Sequence, residues 1–289
     1  MGAERAGRGR EAAFFDLDKT VIARSSTMAF SRPLHAGGLL SRSAMLRSAY
    51  VHLLYHAGGA DHAQMERMRD TVSRMVIGWD VQQVRDIVAT TLAELIVPIV
   101  YEEATALIAE HQKAGRDVVI VSASGIELVE PIGAMLGVDH VVATRMAILD
   151  GRYTGAIDYY AYGENKAEAI RELAAARGYR LERCFAYSDS ITDLPMLRAV
   201  GHPVAVNPDK GLRREAQLRD WPVQDFSRPI SLRPKFPAAQ AAAGTAALGA
   251  GAAAGLVWYA SRRKDSVKDV KPVSGREAAR VRRATSRPE

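Results

Sequence analysis

Apolar and polar residues alternate along most of the chain between two rhythms. Short continuous apolar runs predict buried strands at Ala12 to Asp16, Asp117 to Val121, His140 to Ala143, Cys184 to Tyr187 and Pro203 to Val206. The run Asp117-Val118-Val119-Ile120-Val121 is apolar on both faces, as a strand inside a parallel sheet must be. Helical spacing fills the intervals: Glu102 to Ala114 closed by Gly115, Ile126 to Leu136, and Glu164 to Arg177 closed by Gly178. Asp193 is placed to open a further helix that stops at Gly201. Ile148 to Gly155 predicts a hairpin, with Asp150-Gly151 as its turn. Strands separated mostly by helices predict an α/β fold built on a doubly wound parallel sheet.

One stretch breaks the alternation. From about Ala23 to Val100 the pattern is helical, with Leu39, Leu40, Met45, Leu46, Tyr50, Leu53 and Leu54 near helical spacing and Gly58-Gly59 ending that segment. Further helices are expected over His62 to Met75 and Val81 to Ile96. The stretch reads as an inserted helical cap beside the first strand. The expected organisation is a disordered lead (1–11), a catalytic core (12–22 and 101–224), the cap (23–100), a linker rich in Pro, Ser and Arg (225–237), a transmembrane helix (238–260) and a basic disordered tail (261–289).

The composition, 48% hydrophobic and 25% charged, is that of a globular chain. The net charge of +6 gathers in the first ten residues and after Ser261, which fits solvated tails or contact with anionic lipid; a nucleic-acid role would need a basic face inside the folded part, and none is expected. Cys184 is the only cysteine, which excludes an internal disulfide and suits a reducing cytoplasm. Met1 to Arg10 lacks the apolar core of a signal peptide. The uncharged Ala/Gly run at 238–260 is long enough to span a bilayer, and Gly251 and Gly255 have a helix-pairing spacing. Trp258 and Tyr259 beside Arg262-Arg263-Lys264 match a membrane interface. The expectation is a cytoplasmic catalytic domain anchored to the cell membrane.

The polar residues at the strand ends carry the chemistry. Asp16, Asp18, Ser122, Asp189 and Asp193 all fall at or just after expected strand ends, where open α/β sheets bind ligands. Asp16 and Asp18, one residue apart, would share a pocket, which is costly without a divalent metal or a shared proton. Lys166 lies in the first turn of its helix, where a cation opposes the dipole; a bound phosphate would explain it. The chain has no Ser-His-Asp set, P-loop or HExxH. Oxygen donors suit Mg²⁺, and a carboxylate can act as the nucleophile of phosphoryl transfer.

These residues resemble the haloacid dehalogenase superfamily, subfamily IB, the branch that contains phosphoserine phosphatase. The resemblance rests on DLDKT at Asp16 to Thr20, Ser122 after VVIV, Lys166 in GENK, and SDSITD at Ser188 to Asp193, and spans about Ala12 to Asn207. It implies that Asp16 attacks phosphorus and that Asp18 protonates the leaving oxygen, then activates water. It implies Mg²⁺ held by Asp16, Asp189 and the main-chain carbonyl of Asp18, with Asp193 supporting the metal shell. Ser122 and Lys166 would bind the substrate phosphate, and Lys166 would balance the charge on the nucleophile.

DKT is also similar to the phosphorylation motif of P-type ATPases, but Val21 stands where those pumps need glycine, and no large ATP-binding region is present. Ser25 stands where phosphoserine phosphatases carry an acid that reads the substrate amino group, and Ser188, Ser190 and Thr192 depart from their fourth motif, GDGxND. The departures leave a non-catalytic binding or scaffold protein as the alternative. The expected substrate is a small phosphorylated metabolite or a lipid head-group phosphate. Arg67, Arg69 and Arg74 in the cap either meet a substrate anion or form a solvated helix face.

Overall fold

The computed structural model describes residues 10–41 and 62–229, with the backbone alone for 62–68. Its centre is a seven-stranded sheet of order β4-β3-β2-β1-β5-β6-β7. The strands are β1 (Ala12–Phe15), β2 (Asp117–Gly125), β3 (His140–Leu149), β4 (Arg152–Tyr159), β5 (Phe185–Ser188), β6 (His202–Val206) and β7 (Val223–Gln224). All neighbours pair in parallel except β3 and β4, which form the hairpin. The chain leaves β1 towards β2 and later returns to β5 on the other side of β1. The strand order therefore reverses at β1, and the crevice beyond its carboxyl end is where such a sheet takes a ligand.

Every residue of β1 is buried, and its alternation sends side chains to both faces. Ala12 and Phe14 join a core with Val119, Val121, Ile170, Met196, Leu197 and Leu212. That face is covered by α7 (Glu164–Arg177), α8 (Leu194–Arg198) and α9 (Lys210–Leu218). Phe15 stacks instead on Tyr187, at 4.4 Å between centroids and an interplanar angle of 9°, and meets His111 of α5 (Glu102–Lys113) edge-on. The remaining long helix of the sheet layers is α6 (Ile126–Leu136).

The inserted stretch contains α1 (Ser26–Ala29), α2 (Ser31–Ala36), α3 (His62–Met75) and α4 (Val81–Ile96). It docks on β4 through main-chain bonds: Gly78 N–H donates to Tyr153 O at 2.8 Å, and Tyr153 N–H to Trp79 O at 3.1 Å. Gly155 makes the approach possible, since a Cβ there would meet Ile77 Cγ1 at 2.5 Å.

The structure departs from the sequence expectations in several places. The segment rich in Pro, Ser and Arg does not begin as a linker at residue 225. Phe226 is buried and exchanges two bonds with Asn207, Phe226 N–H to Oδ1 at 2.8 Å and Nδ2 to Phe226 O at 3.1 Å. Arg228 O accepts from Glu102 N–H at 2.9 Å, so the chain is held to the core as far as residue 229. Arg10 and Glu11 do not belong to a disordered lead either: Arg10 pairs with Asp117, and Glu11 with Arg116 and Arg183. Strand β2 does not stop at Ser122 but reaches Gly125 through a register shift against β3. Leu39 and Leu40 follow the end of α2, and most of the helix expected from Leu39 to Leu54 lies outside the described residues. So does the expected membrane span at 238–260. Among the described residues no helix is long and apolar enough to cross a membrane.

Candidate active site

The crevice beyond β1 brings Asp16, Lys166 and Asp193 into direct contact. Lys166 Nζ donates to Asp16 Oδ1 at 2.7 Å and to Asp193 Oδ2 at 2.8 Å, and all three side chains are buried. The placement that is unfavourable for the helix dipole is thus compensated through space, by two carboxylates at the lysine's tip. Burial acts to lower the pKa of Lys166, but Asp16 and Asp193 outweigh it and hold the ammonium charged. Burial pushes the carboxyl of Asp16 up to about 7 against the pull of Lys166, with Asp193 adding to the rise. Asp189, at the end of β5, is raised by burial first and then by the charge of Asp16.

Asp18 lies past the end of β1, in a turn where Leu17 O accepts from both Val21 N–H and Ile22 N–H. Lys19 takes a left-handed conformation there, with φ of 65°. Asp18 Oδ1 accepts from Ser26 N–H at 2.7 Å and Oδ2 from Ser124 Oγ at 3.0 Å. Burial raises its pKa, partly offset by these bonds. Ser122, on β2, is buried, and its Oγ accepts from Ser124 N–H at 3.2 Å, so its own proton can be donated to an anion.

Asp193 was expected both to open a helix and to support a metal shell. It stands at the start of α8 without a side-chain capping bond, because its carboxylate is committed to Lys166 and to Ser188 Oγ at 2.7 Å. Ser190 accepts instead from Thr192 N–H and caps the short 3-10 turn Ile191–Asp193. The substituted residues of the fourth motif thus bond within the motif, Ser188 to Asp193 and Thr192 to Ser190. In the cap, Arg69 pairs with Asp70 at 3.0 Å and lies over the ring of Tyr160; Arg74 is exposed; the side chain of Arg67 lies outside the described residues.

Sequence reasoning missed three contributors. Ser26 and Ser124 hold Asp18, and Ser124 is reached only because β2 continues past Ser122 after a register shift against β3. Asp209 braces the loop of Asp189: its N–H donates to Asp189 O at 2.8 Å, and its Oδ2 accepts from Ile191 N–H at 2.9 Å. It follows the end of β6, so the strand-end rule that selected the other carboxylates applied to it as well.

The donor set fits Mg²⁺. Asp16 and Asp189 are buried acids raised by desolvation, and a dication would reverse that rise. Among the described residues no group of three His, Cys, Asp or Glu side chains is placed to hold an ion. Mg²⁺ needs none, because it keeps several waters and takes one or two carboxylates plus substrate phosphate.

Comparison with known proteins gives the family. The haloacid dehalogenase-like hydrolase family model matches residues 13–198. An "Inhibition of morphological differentiation protein" of Streptomyces azureus is 60% identical over 273 residues, covering 92% of this chain and 99% of its own. A probable phosphatase of Mycobacterium tuberculosis is 60% identical over 262 residues, covering 90% of this chain and 91% of its own. Among solved structures, a phosphoserine phosphatase bearing a phospho-aspartyl intermediate analogue superposes with a TM-score of 0.56 at 20% identity, over 76% of this chain and 95% of that one, a likeness of fold. The matched range holds Asp16, Asp18, Ser122, Lys166, Asp189 and Asp193, and the chain belongs to the haloacid dehalogenase-like hydrolases.

Proposed function

We propose that this hydrolase is a Mg²⁺-dependent phosphatase that cleaves phosphomonoesters through an aspartyl-phosphate on Asp16. The supporting observation is the buried Lys166 ammonium bonded to both Asp16 and Asp193. It holds one Asp16 oxygen in place, keeps the nucleophile from swinging away, and presents positive charge where a phosphoryl group would arrive. Asp16 attacks phosphorus; the new O–P bond forms as the bond to the leaving oxygen breaks, and Asp18 gives its proton to that oxygen. Asp18 then takes a proton from water as the water attacks the acyl phosphate, which releases inorganic phosphate and restores Asp16. Ser122 Oγ and Lys166 Nζ bind the phosphoryl oxygens. Asp16, Asp189 and the main-chain carbonyl of Asp18 would hold Mg²⁺, which supplies neutralising charge. Asp193 acts through Lys166, whose position it fixes.

The substrate class in this proposal is a small phosphorylated metabolite or a lipid head-group phosphate, and no nucleic acid. Residues 238–260 form the anchor of a cytoplasmic catalytic domain, an assignment supported by the uncharged run and by Trp258 and Tyr259 next to the basic cluster. The test is phosphate release by the detergent-solubilised full-length chain from a panel of metabolite and lipid monoesters, with Mg²⁺ or with chelator. Mg²⁺-dependent release is expected; no release from any ester overturns the phosphatase reading. Full-length protein recovered wholly in the soluble fraction after cell fractionation overturns the anchor.

A further inference from the structure

We infer that Ser124 is a positioning residue for Asp18, held in place by Ser26; the inference rests on the acid and base roles proposed above for Asp18. Asp18 lies beyond the strand, in a turn, so sheet pairing does not orient its carboxylate. Two hydrogen bonds from separate parts of the chain do so. Ser26 N–H, at the start of the first cap helix, fixes Oδ1 at 2.7 Å. Ser124 Oγ, near the end of β2, fixes Oδ2 at 3.0 Å.

The Ser124 hydroxyl has one proton. Once that proton is given to Asp18, the oxygen must accept from elsewhere, and Ser26 Oγ donates to it at 2.9 Å, with Thr27 Oγ1 at 3.4 Å. Donation therefore runs from Ser26 to Ser124 to Asp18. Ser26 is fully buried and Ser124 nearly so, which shields the chain of hydroxyls from competing water. Each carboxylate oxygen keeps a second lone pair, so the two bonds fix the rotation of Asp18 and leave room for the proton it transfers. An acid placed this way meets the leaving oxygen at a set position, and small misplacements of reacting groups are costly in rate. The same bonds join the end of β2 to the entry of the cap.

The experiment compares kcat/KM of the solubilised full-length chain on phenyl phosphate and p-nitrophenyl phosphate, with Mg²⁺. Phenolate is the poorer leaving group and depends more on a proton from Asp18. Ser124→Ala is expected to lower kcat/KM on phenyl phosphate about tenfold, a fraction of what a general acid contributes, and on p-nitrophenyl phosphate by less than about threefold. Ser124→Thr, which keeps the hydroxyl, restores the first value. Equal losses on both esters, or none on either, overturn the inference while the phosphatase reading stands. If Ser124→Ala does not fold, Ser26→Ala carries the comparison: a smaller selective loss supports the inference, and an equal or absent loss overturns it. A wild-type chain that hydrolyses neither ester overturns the phosphatase reading together with this inference.

Discussion

Lys166 Nζ stands 2.7 Å from Asp16 Oδ1 although 150 residues separate the two in sequence. Replacing Lys166 with Met would leave Asp16 and Asp193 buried and facing each other without a cation. Breaking one side of a buried ion pair costs about 3–5 kcal/mol, and the lower end is expected here because Asp16 can take up a proton. Turnover should fall by at least roughly a hundredfold, the scale of losing one aligned charge in a closed site. Lys166→Arg should not restore it, since a planar fork does not fit a position that bonds two carboxylates from one nitrogen. Chemical denaturation and kcat on one monoester measure the two effects separately.

Asp209 supports Asp189 from behind. Its Oδ1 caps α9 by accepting from Leu212 N–H at 2.8 Å, while its Oδ2 holds Ile191 N–H. Asp209→Ala removes a helix cap and leaves a partly buried donor unsatisfied, together about 2 kcal/mol. For a folded part of this size that lowers Tm by roughly 4–8 °C. Asp209→Asn keeps one acceptor, its carboxamide oxygen, and turns an NH2 donor towards the other main-chain N–H, so it can restore only one of the two bonds and should still lose about half as much. Thermal unfolding followed by circular dichroism distinguishes the two. The alanine variant should also bind Mg²⁺ more weakly, because the loop that presents Asp189 is no longer braced.

Local pattern made the sheet and the strand-end carboxylates legible. Val118 to Val121 is buried on both faces, as its composition required, and the Asp150-Gly151 turn has positive φ at both residues, 50° and 75°. Lys166 was legible only as an anomaly, because its compensation comes from residues distant in sequence. The extension of β2 past Ser122 depends on pairing with β3 after a register shift, and no single-strand pattern carries that. Phe226 sits in a segment whose composition reads as a linker, and it is held by Asn207, just past the end of β6, and by the ring of Tyr101. What stayed hidden in each case is a tertiary partner that overrides a local preference.

Gly201 is expected to tolerate no side chain. Its N–H donates to Leu181 O at 2.9 Å, and a Cβ at this position would lie 1.8 Å from the carbonyl oxygen of Glu182. The obstacle is backbone, so no rotamer change relieves it. Gly201→Ala should cost about 3 kcal/mol, the upper end of overpacking penalties. Gly137→Ala serves as the control: nothing lies within 4 Å of its Cβ, and its cost is conformational, from a φ of 69°. About 1 kcal/mol is expected there. Denaturation midpoints of the two variants measure the difference, and equal losses would remove the steric argument.

His111 makes stability depend on pH. It is buried beneath the Phe15–Tyr187 stack, with Nε2 2.8 Å from Tyr187 Oη, Nδ1 3.4 Å from an Arg116 nitrogen, and the Phe185 ring 4.8 Å from its own. Burial, reinforced by Arg116, lowers its pKa from 6.5 to about 4. The unfolded chain therefore binds more protons between those values, so the contribution is complete above about pH 6.5 and is lost as the pH falls towards 4. One proton sets a limiting slope of about 1.4 kcal/mol per pH unit. His111→Gln keeps a polar partner for Tyr187 but does not titrate. Its stability should be lower than wild type at pH 7.5, and should fall less steeply between pH 6.5 and 4.5, by up to that one-proton slope. Denaturation curves across that range test it, and parallel curves for the two proteins would show that His111 is not the group protonated.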